Sequence, residues 1–278
     1  MPKRIVAAQQ LRAMFYRHAS LGAKALIFCL SGVLCACGPT SDEADTAGTL
    51  GQTVESGISV EAQALLAAMA EKLTGAERIE FRVKRVVDPV FLLNENADSS
   101  TEAWLNIKRP NKLYAEITGA SGTKGMFFDG EVFVIFNKEI MRFAKTDLSG
   151  TLDDLAKKTG EMLEISIPFM DFIGSDPLKE LSRYALSGSV IGEETINGIL
   201  CSHIRVQEDV LFWDLWLDKD TDLPRRYLIT ATELDGQPTS LADSIEVILN
   251  ASQDDSMFDF DPPNGAIEIP MRSPEYDE

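Results

Sequence analysis

Lys124-Gly125-Met126-Phe127-Phe128-Asp129-Gly130-Glu131-Val132-Phe133-Val134-Ile135-Phe136 reads as two strands and the turn that joins them. Asp-Gly between apolar runs is the strongest short hairpin signal, because the favoured two-residue turn needs positive φ at its centre. Both runs are apolar at odd and even positions alike, so neither face of this hairpin is left to water. Such strands need core on one side and a helix or a ligand on the other. The fold therefore turns on what covers the second face.

The flanking sequence extends the sheet. In Ile79-Glu80-Phe81-Arg82-Val83-Lys84 the odd positions are apolar and the even ones charged, a half-buried strand with one wet face. Strands at 101–108 and 112–118 flank Arg109-Pro110-Asn111, where Pro stops ladder pairing. A strand at 140–144 follows Asn137-Lys138. Further on, 184–193 and 199–206 flank Ile196-Asn197-Gly198; 211–217 and 225–232 flank 218–224; 243–249 ends the series. Helical spacing is seen in Leu65, Leu66, Met69 and Leu73, with Ser59 as cap and Gly75 as stop. It returns in Leu152, Leu155, Ala156, Met162 and Leu163. The run 165–173 is strongly apolar, and Ser175-Asp176-Pro177 can start a short helix. Roughly ten antiparallel strands with helical insertions predict an α+β domain.

The amino end is of another kind. Its first 36 residues hold Lys3, Arg4, Arg12, Arg17 and Lys24 and no acid, then an apolar run at 25–36. Twelve helical residues reach about 18 Å, short of a roughly 30 Å hydrocarbon core. A basic start and a short apolar core describe a secretory signal rather than a membrane span. Leu34-Cys35-Ala36-Cys37 resembles the bacterial lipobox, which makes Cys37 the lipidated first residue of the mature chain. Starting at Met14 instead of Met1 would give a signal of conventional length. Residues 37–58 read as the lipidated Cys and a flexible acidic tether, and 59–278 as one domain. Gly38 after the Cys, rather than Asp, favours the periplasmic face of the outer membrane by the sorting rule general to lipoproteins.

Charge and cysteine count exclude several partners. The chain has 26 Lys and Arg against 44 Asp and Glu, a net charge of −18. Without residues 1–36 it has 21 basic residues against the same 44 acidic ones, a net charge of −23. Such a surface repels nucleic acid. Cys29 and Cys35 leave with the signal and Cys37 takes lipid, so Cys201 has no intramolecular disulfide partner. His203 is the one mature histidine, and a structural zinc site cannot be assembled from it and Cys201. No metal and no cofactor are expected.

Several segments resemble a known family in order. They are Ala103 to Glu116 around Arg109-Pro110-Asn111, Phe127-Phe128-Asp129-Gly130-Glu131 with Ile135-Phe136-Asn137-Lys138 and Phe143, and Ile167-Pro168-Phe169 to Ser175-Asp176-Pro177. Ile196-Asn197-Gly198 to His203, Leu215-Trp216-Leu217-Asp218 to Leu223-Pro224-Arg225, and Phe258-Asp259-Phe260 with Pro262, Pro263 and Gly265 continue it. Over about residues 60–270 the set resembles predicted periplasmic proteins of unknown function in the LolA/LolB-like group. The resemblance implies an unclosed, strongly curved antiparallel half-barrel around an apolar cavity, lidded by helices. Relatives in that fold group bind lipid or lipoprotein acyl chains or act as periplasmic sensors. It carries over no catalytic residue.

Two kinds of site remain to be weighed. Cys201, His203 and Arg205 share one strand face, which is a nucleophile with its base, half a metal site, or a polar face packed by the chain's curvature. Asp218, Asp220 and Asp222 imitate the start of a calcium loop, but Leu223 stands where Gly is wanted and Ile229 where Glu is wanted, which leaves an acidic turn. The apolar excess carries more. Phe128, Phe133, Ile135, Trp213 and Trp216 are the candidate walls of a lipid-sized cavity, with Ile167, Phe169 and Phe172 as its lid; the other reading is a core filled by side chains. The expected function is a membrane-anchored binding protein for a lipid or acyl chain, not an enzyme. An envelope sensor with no ligand in use is the alternative, and a hydrolase using His203 comes third.

Overall fold

The structure, a computed structural model, describes residues 57–92, 98–163 and 167–271. The expected signal, Cys37, the tether as far as residue 56, and Ile165 lie outside the described residues.

Helix α1 (Val60–Gly75) opens the fold, and the Ser59 hydroxyl caps it by accepting from the Ala62 amide at 3.3 Å. Strands β1 (Arg78–Val87), β2 (Ser100–Lys108), β3 (Lys112–Gly119), β4 (Gly122–Phe128), β5 (Val132–Asn137) and β6 (Arg142–Asp147) follow as a meander. Helices α2 (Leu152–Leu163), α3 (Met170–Ile173) and α4 (Pro177–Ser182) interrupt it. Asp176 caps α4 by accepting from the Lys179 amide at 3.0 Å, and Pro177 fills the first turn. Strands β7 (Ser187–Ile196), β8 (Ile199–Gln207), β9 (Leu211–Asp218), β10 (Pro224–Ala231), β11 (Thr239–Leu249) and β12 (Ile267–Glu268) complete the chain.

Among the described residues one sheet holds twelve strands in the order β12-β6-β5-β4-β3-β2-β1-β11-β10-β9-β8-β7. It is curved and unclosed, since no ladder joins β7 to β12 among the described residues. Among the described residues every strand-to-strand ladder is antiparallel except that of β12 with β6. Register shifts between β1 and β11, β9 and β10, and β7 and β8 add local twist. At the first of these, Ser244 takes φ 52° and an extra residue enters β11.

The concave face carries the main core. Phe81, Leu105, Ile107, Phe128, Phe133 and Leu215 have no exposed surface, and α1 presses Leu66, Met69 and Leu73 onto them. Each such side chain stabilises the fold by about 1.5–3 kcal/mol. Ile58, the last residue of the expected tether, is also buried here, and the chain beside it is bridged to Gly188 of β7.

The second face of the opening hairpin has an unexpected cover. Val134, Phe136 and Phe143 are buried on the convex side around Phe260, whose ring lies 5.0 Å from Phe127, 5.4 Å from Phe136 and 5.1 Å from Phe143. Asp255 fastens the same segment through Arg78 and Lys108, each at 2.6 Å. The chain's own carboxy-terminal segment, not a helix or a ligand, covers β4 to β6. Among the described residues there are twelve strands rather than about ten, and the last of them, β12, is too short to leave a pattern. The strand expected from residue 184 begins at Ser187 and runs to the Asn197-Gly198 turn.

Candidate functional site

The space between sheet and lid is the candidate site. On β9 the even-numbered side chains Phe212, Asp214 and Trp216 share one ladder face with Arg205 and His203, while Trp213, Leu215 and Leu217 share the other with Ile204 and Val206. The second set belongs to the concave core. Tyr227 and Ile229 of β10 and Ser240 and Ala242 of β11 continue that face. Arg85 of β1 faces Ala242 in the next ladder.

The lid is the segment 167–173. Ile167, Phe172 and Ile173 are buried against the sheet. Phe172 meets the Tyr227 ring edge-on at 5.4 Å, and Tyr227 meets Trp213 at 5.9 Å. Phe169 stacks on Phe81 at 5.8 Å and lies 5.7 Å from Phe172, holding φ 62° and ψ 19° as the residue before α3. A bulky residue in the left-handed region costs about 1–2 kcal/mol and is found where the surroundings over-determine it. The far end of the lid is pinned twice. Arg109 Nη1 donates to the Gly174 carbonyl at 3.0 Å, and the Ser175 amide donates to Asp153 Oδ1 at 2.9 Å.

Beneath the lid is a cavity of about 130 Å³. One water needs roughly 10–15 Å³ on that measure, so the space holds several waters or part of an alkyl chain. Its walls include Phe169, Phe172, Trp213, Tyr227 and Ile229. Trp213 Nε1 donates to Glu208 Oε1 at 3.1 Å. Burial first, then the charges of Asp171 and Glu208, raises the Tyr227 pKa well above its usual value, so its hydroxyl keeps its proton. Burial also raises Glu180, against its ion pair with Arg183.

The structure brings some of the expected site residues together and separates others. Trp213, Ile167, Phe169 and Phe172 line the space beneath the lid. Phe128 and Phe133 belong to the filled core, and Ile135 packs against it, all three outside the cavity lining. Trp216 is on the opposite face, because three residues along a strand reverse the side. Arg85 also lines the cavity and is not among the expected site residues. Its signal was the continued alternation, since 79, 81, 83, 85 and 87 share one face and Arg85 stands in that otherwise apolar series.

On the convex face the histidine is held between an acid and an indole ring. His203 stacks on Trp216 at 4.0 Å and contacts Asp214 Oδ1 through Nε2 at 2.8 Å. Asp214, fully buried, also takes a two-pronged pair from Arg205 at 2.8 and 3.0 Å. Burial, with Asp218 adding, raises the Cys201 thiol, which suits an inert side chain. Asp218 accepts the Asp220 amide at 2.8 Å and pairs with Arg225 at 2.8 Å, so it builds a turn. Among the described residues no group of three His, Cys, Asp or Glu side chains could hold a metal.

A family model described as predicted periplasmic protein (DUF2092) matches residues 62–272. The chain belongs to the DUF2092 family. No curated protein matches it. Among solved structures, this DUF2092 protein is similar to the lipoprotein LppX of Mycobacterium tuberculosis, with 11% identity and TM-score 0.45 over 70% of this chain and 97% of that one. It is also similar to a LolA superfamily protein of Nitrosomonas europaea, with 11% identity and TM-score 0.30 over 72% and 97%. The MucA/MucB complex of Pseudomonas aeruginosa matches at 16% identity and TM-score 0.41, over 71% of this chain and 60% of that one. The DUF2092 family supports a place in the cell envelope.

Proposed function

We propose that this protein is a lipid-anchored envelope protein that holds one apolar or amphipathic ligand between the concave face of its sheet and the lid at 167–173. The observation that carries this reading is the cavity of about 130 Å³ under a lid whose Phe169 is held in the left-handed region. A long acyl chain exceeds that volume, so Phe172 must leave Tyr227 for the site to fill. Burying each methylene is worth about 0.8 kcal/mol, which offsets the lost lid contacts after a few carbons. The pins on Gly174 and Ser175 keep one end of the lid in place while the apolar run moves.

Anchoring through Cys37, on the periplasmic face of the outer membrane, is the second part. It rests on the Leu34-Cys35-Ala36-Cys37 pattern and the basic, apolar segment before it. A tethered protein is suited to receiving or holding a ligand.

Two experiments test the two parts. The full chain should take up a fluorescent fatty acid to a limit of one per chain; no saturable uptake rejects the binding reading and leaves the sensor alternative. In cells, labelled palmitate should enter the wild-type chain and not Cys37→Ser; equal labelling of both rejects the anchor.

A further inference from the structure

A charged side chain stands in the cavity wall without a counter-charge among the described residues. The apolar parity of β1 sends Arg85 to the concave face, and the extra residue at Ser244 keeps it opposite Ala242, which also lines the cavity. Its guanidinium has no hydrogen-bond or ion-pair partner among the described residues. Burial lowers its pKa, and no carboxylate among the described residues acts on it to oppose that. Arg85 is half-buried in this wall, and a partly desolvated charge with no protein partner among the described residues is open to an anionic group of a ligand.

The acidic groups of the lining are spoken for or distant. Glu180 is paired with Arg183, and Glu208 accepts from Trp213. Strand order puts Arg85 three strands away from Trp213, about 14 Å at the usual spacing, so Glu208 stands at the other end of the cavity. Asp171 rides on the lid beside Tyr227 and Glu180. The cavity thus has a basic end at β1, an acidic end at the β8–β9 turn, and an aromatic and aliphatic stretch between them.

We propose that Arg85 seats the anionic head of an amphiphilic ligand, a carboxylate or a phosphate, whose tail lies along Tyr227, Ile229 and Phe172 beneath the lid. This rests on the cavity being the binding site. The planar guanidinium can meet either head with two parallel hydrogen bonds. The apolar stretch takes the alkyl chain.

The test is competition against a neutral fluorescent probe bound to the full chain. The competitors share a sixteen-carbon tail: palmitic acid, hexadecyl phosphate and hexadecanol. One or both anionic competitors should bind at least about tenfold tighter than the alcohol, as a charge-assisted pair requires. Whichever of the two is preferred separates a fatty-acid source from a phospholipid one. Arg85→Gln should abolish that preference and leave hexadecanol binding within about twofold, while Arg85→Lys keeps most of it. Equal affinity for acid, phosphate and alcohol in the wild type overturns the role of Arg85 and leaves the cavity reading intact. Failure of all three competitors and of the probe overturns both. The ligand-free Arg85→Gln protein should melt no lower than wild type; a clear fall would show a structural partner and overturn the proposal.

Discussion

Trp213 and Trp216 lie three residues apart on β9 and face opposite sides of the sheet, one into the cavity against Tyr227 and the other outward onto His203. The chain has three tryptophans, so their fluorescence can be separated by substitution. In Trp213→Phe the emission change on fatty-acid binding should largely vanish. In Trp216→Phe it should persist. Emission changes lost in the second variant and kept in the first would place the ligand on the convex face.

Phe169 gives a second prediction, on stability. Glycine takes φ 62° without steric cost, whereas alanine keeps the strain and loses the ring as glycine does. Phe169→Gly should therefore be more stable than Phe169→Ala by about 1 kcal/mol in denaturant unfolding, the reverse of the ordinary order of these residues. The ordinary order would show that the lid relaxes out of this conformation.

The carboxy-terminal cover should contribute to the fold. Phe260 is half-buried against three phenylalanines, so Phe260→Ala should cost about 2 kcal/mol, below the roughly 3–5 kcal/mol of a fully buried ring. A loss under about 0.5 kcal/mol would mean that β4 to β6 do not need this segment.

Asp255 ties that cover to pH. Hydrogen bonds from Lys108 first and then Arg78 hold its pKa at about 2, against the usual 3.8. A depressed carboxyl pKa contributes stability that is fully present above the unfolded value and is lost as pH falls through the folded one. The window therefore runs from about pH 4 down to about pH 2. Because the group is exposed, solvent screening keeps the effect small. Asp255→Asn should melt lower than wild type at pH 6, and the gap should narrow at pH 2.5; a gap that stays constant would assign the effect to something other than charge.

The sequence carried the parts of this fold that depend on neighbours along the chain. Asn197 and Gly198 take φ 49° and 84°, and Gly130 takes 102°, as tight hairpin turns require. Ser59 and Asp176 cap the helices expected of them. What was hidden depends on contacts between distant segments. Phe260 reaches Phe127 across more than a hundred residues and has no periodic neighbours to announce it. β12 is two residues long and pairs in parallel with β6. The cavity itself was half legible: alternation along β9 separates Trp213 from Trp216, and alternation along β1 turns Arg85 inward. Which apolar strands bound an empty space and which bound filled core was decided by the lid, whose left-handed Phe169 no pattern foretold.

The central claim is that the space beneath the lid takes an amphipathic ligand. Native mass spectrometry of the full chain, purified without detergent and then offered palmitic acid, tests it most directly. The expected result is a species heavier by one bound amphiphile, either co-purified or gained at one equivalent, and reduced in Arg85→Gln. A clean ligand-free mass that gains nothing on addition would contradict the claim.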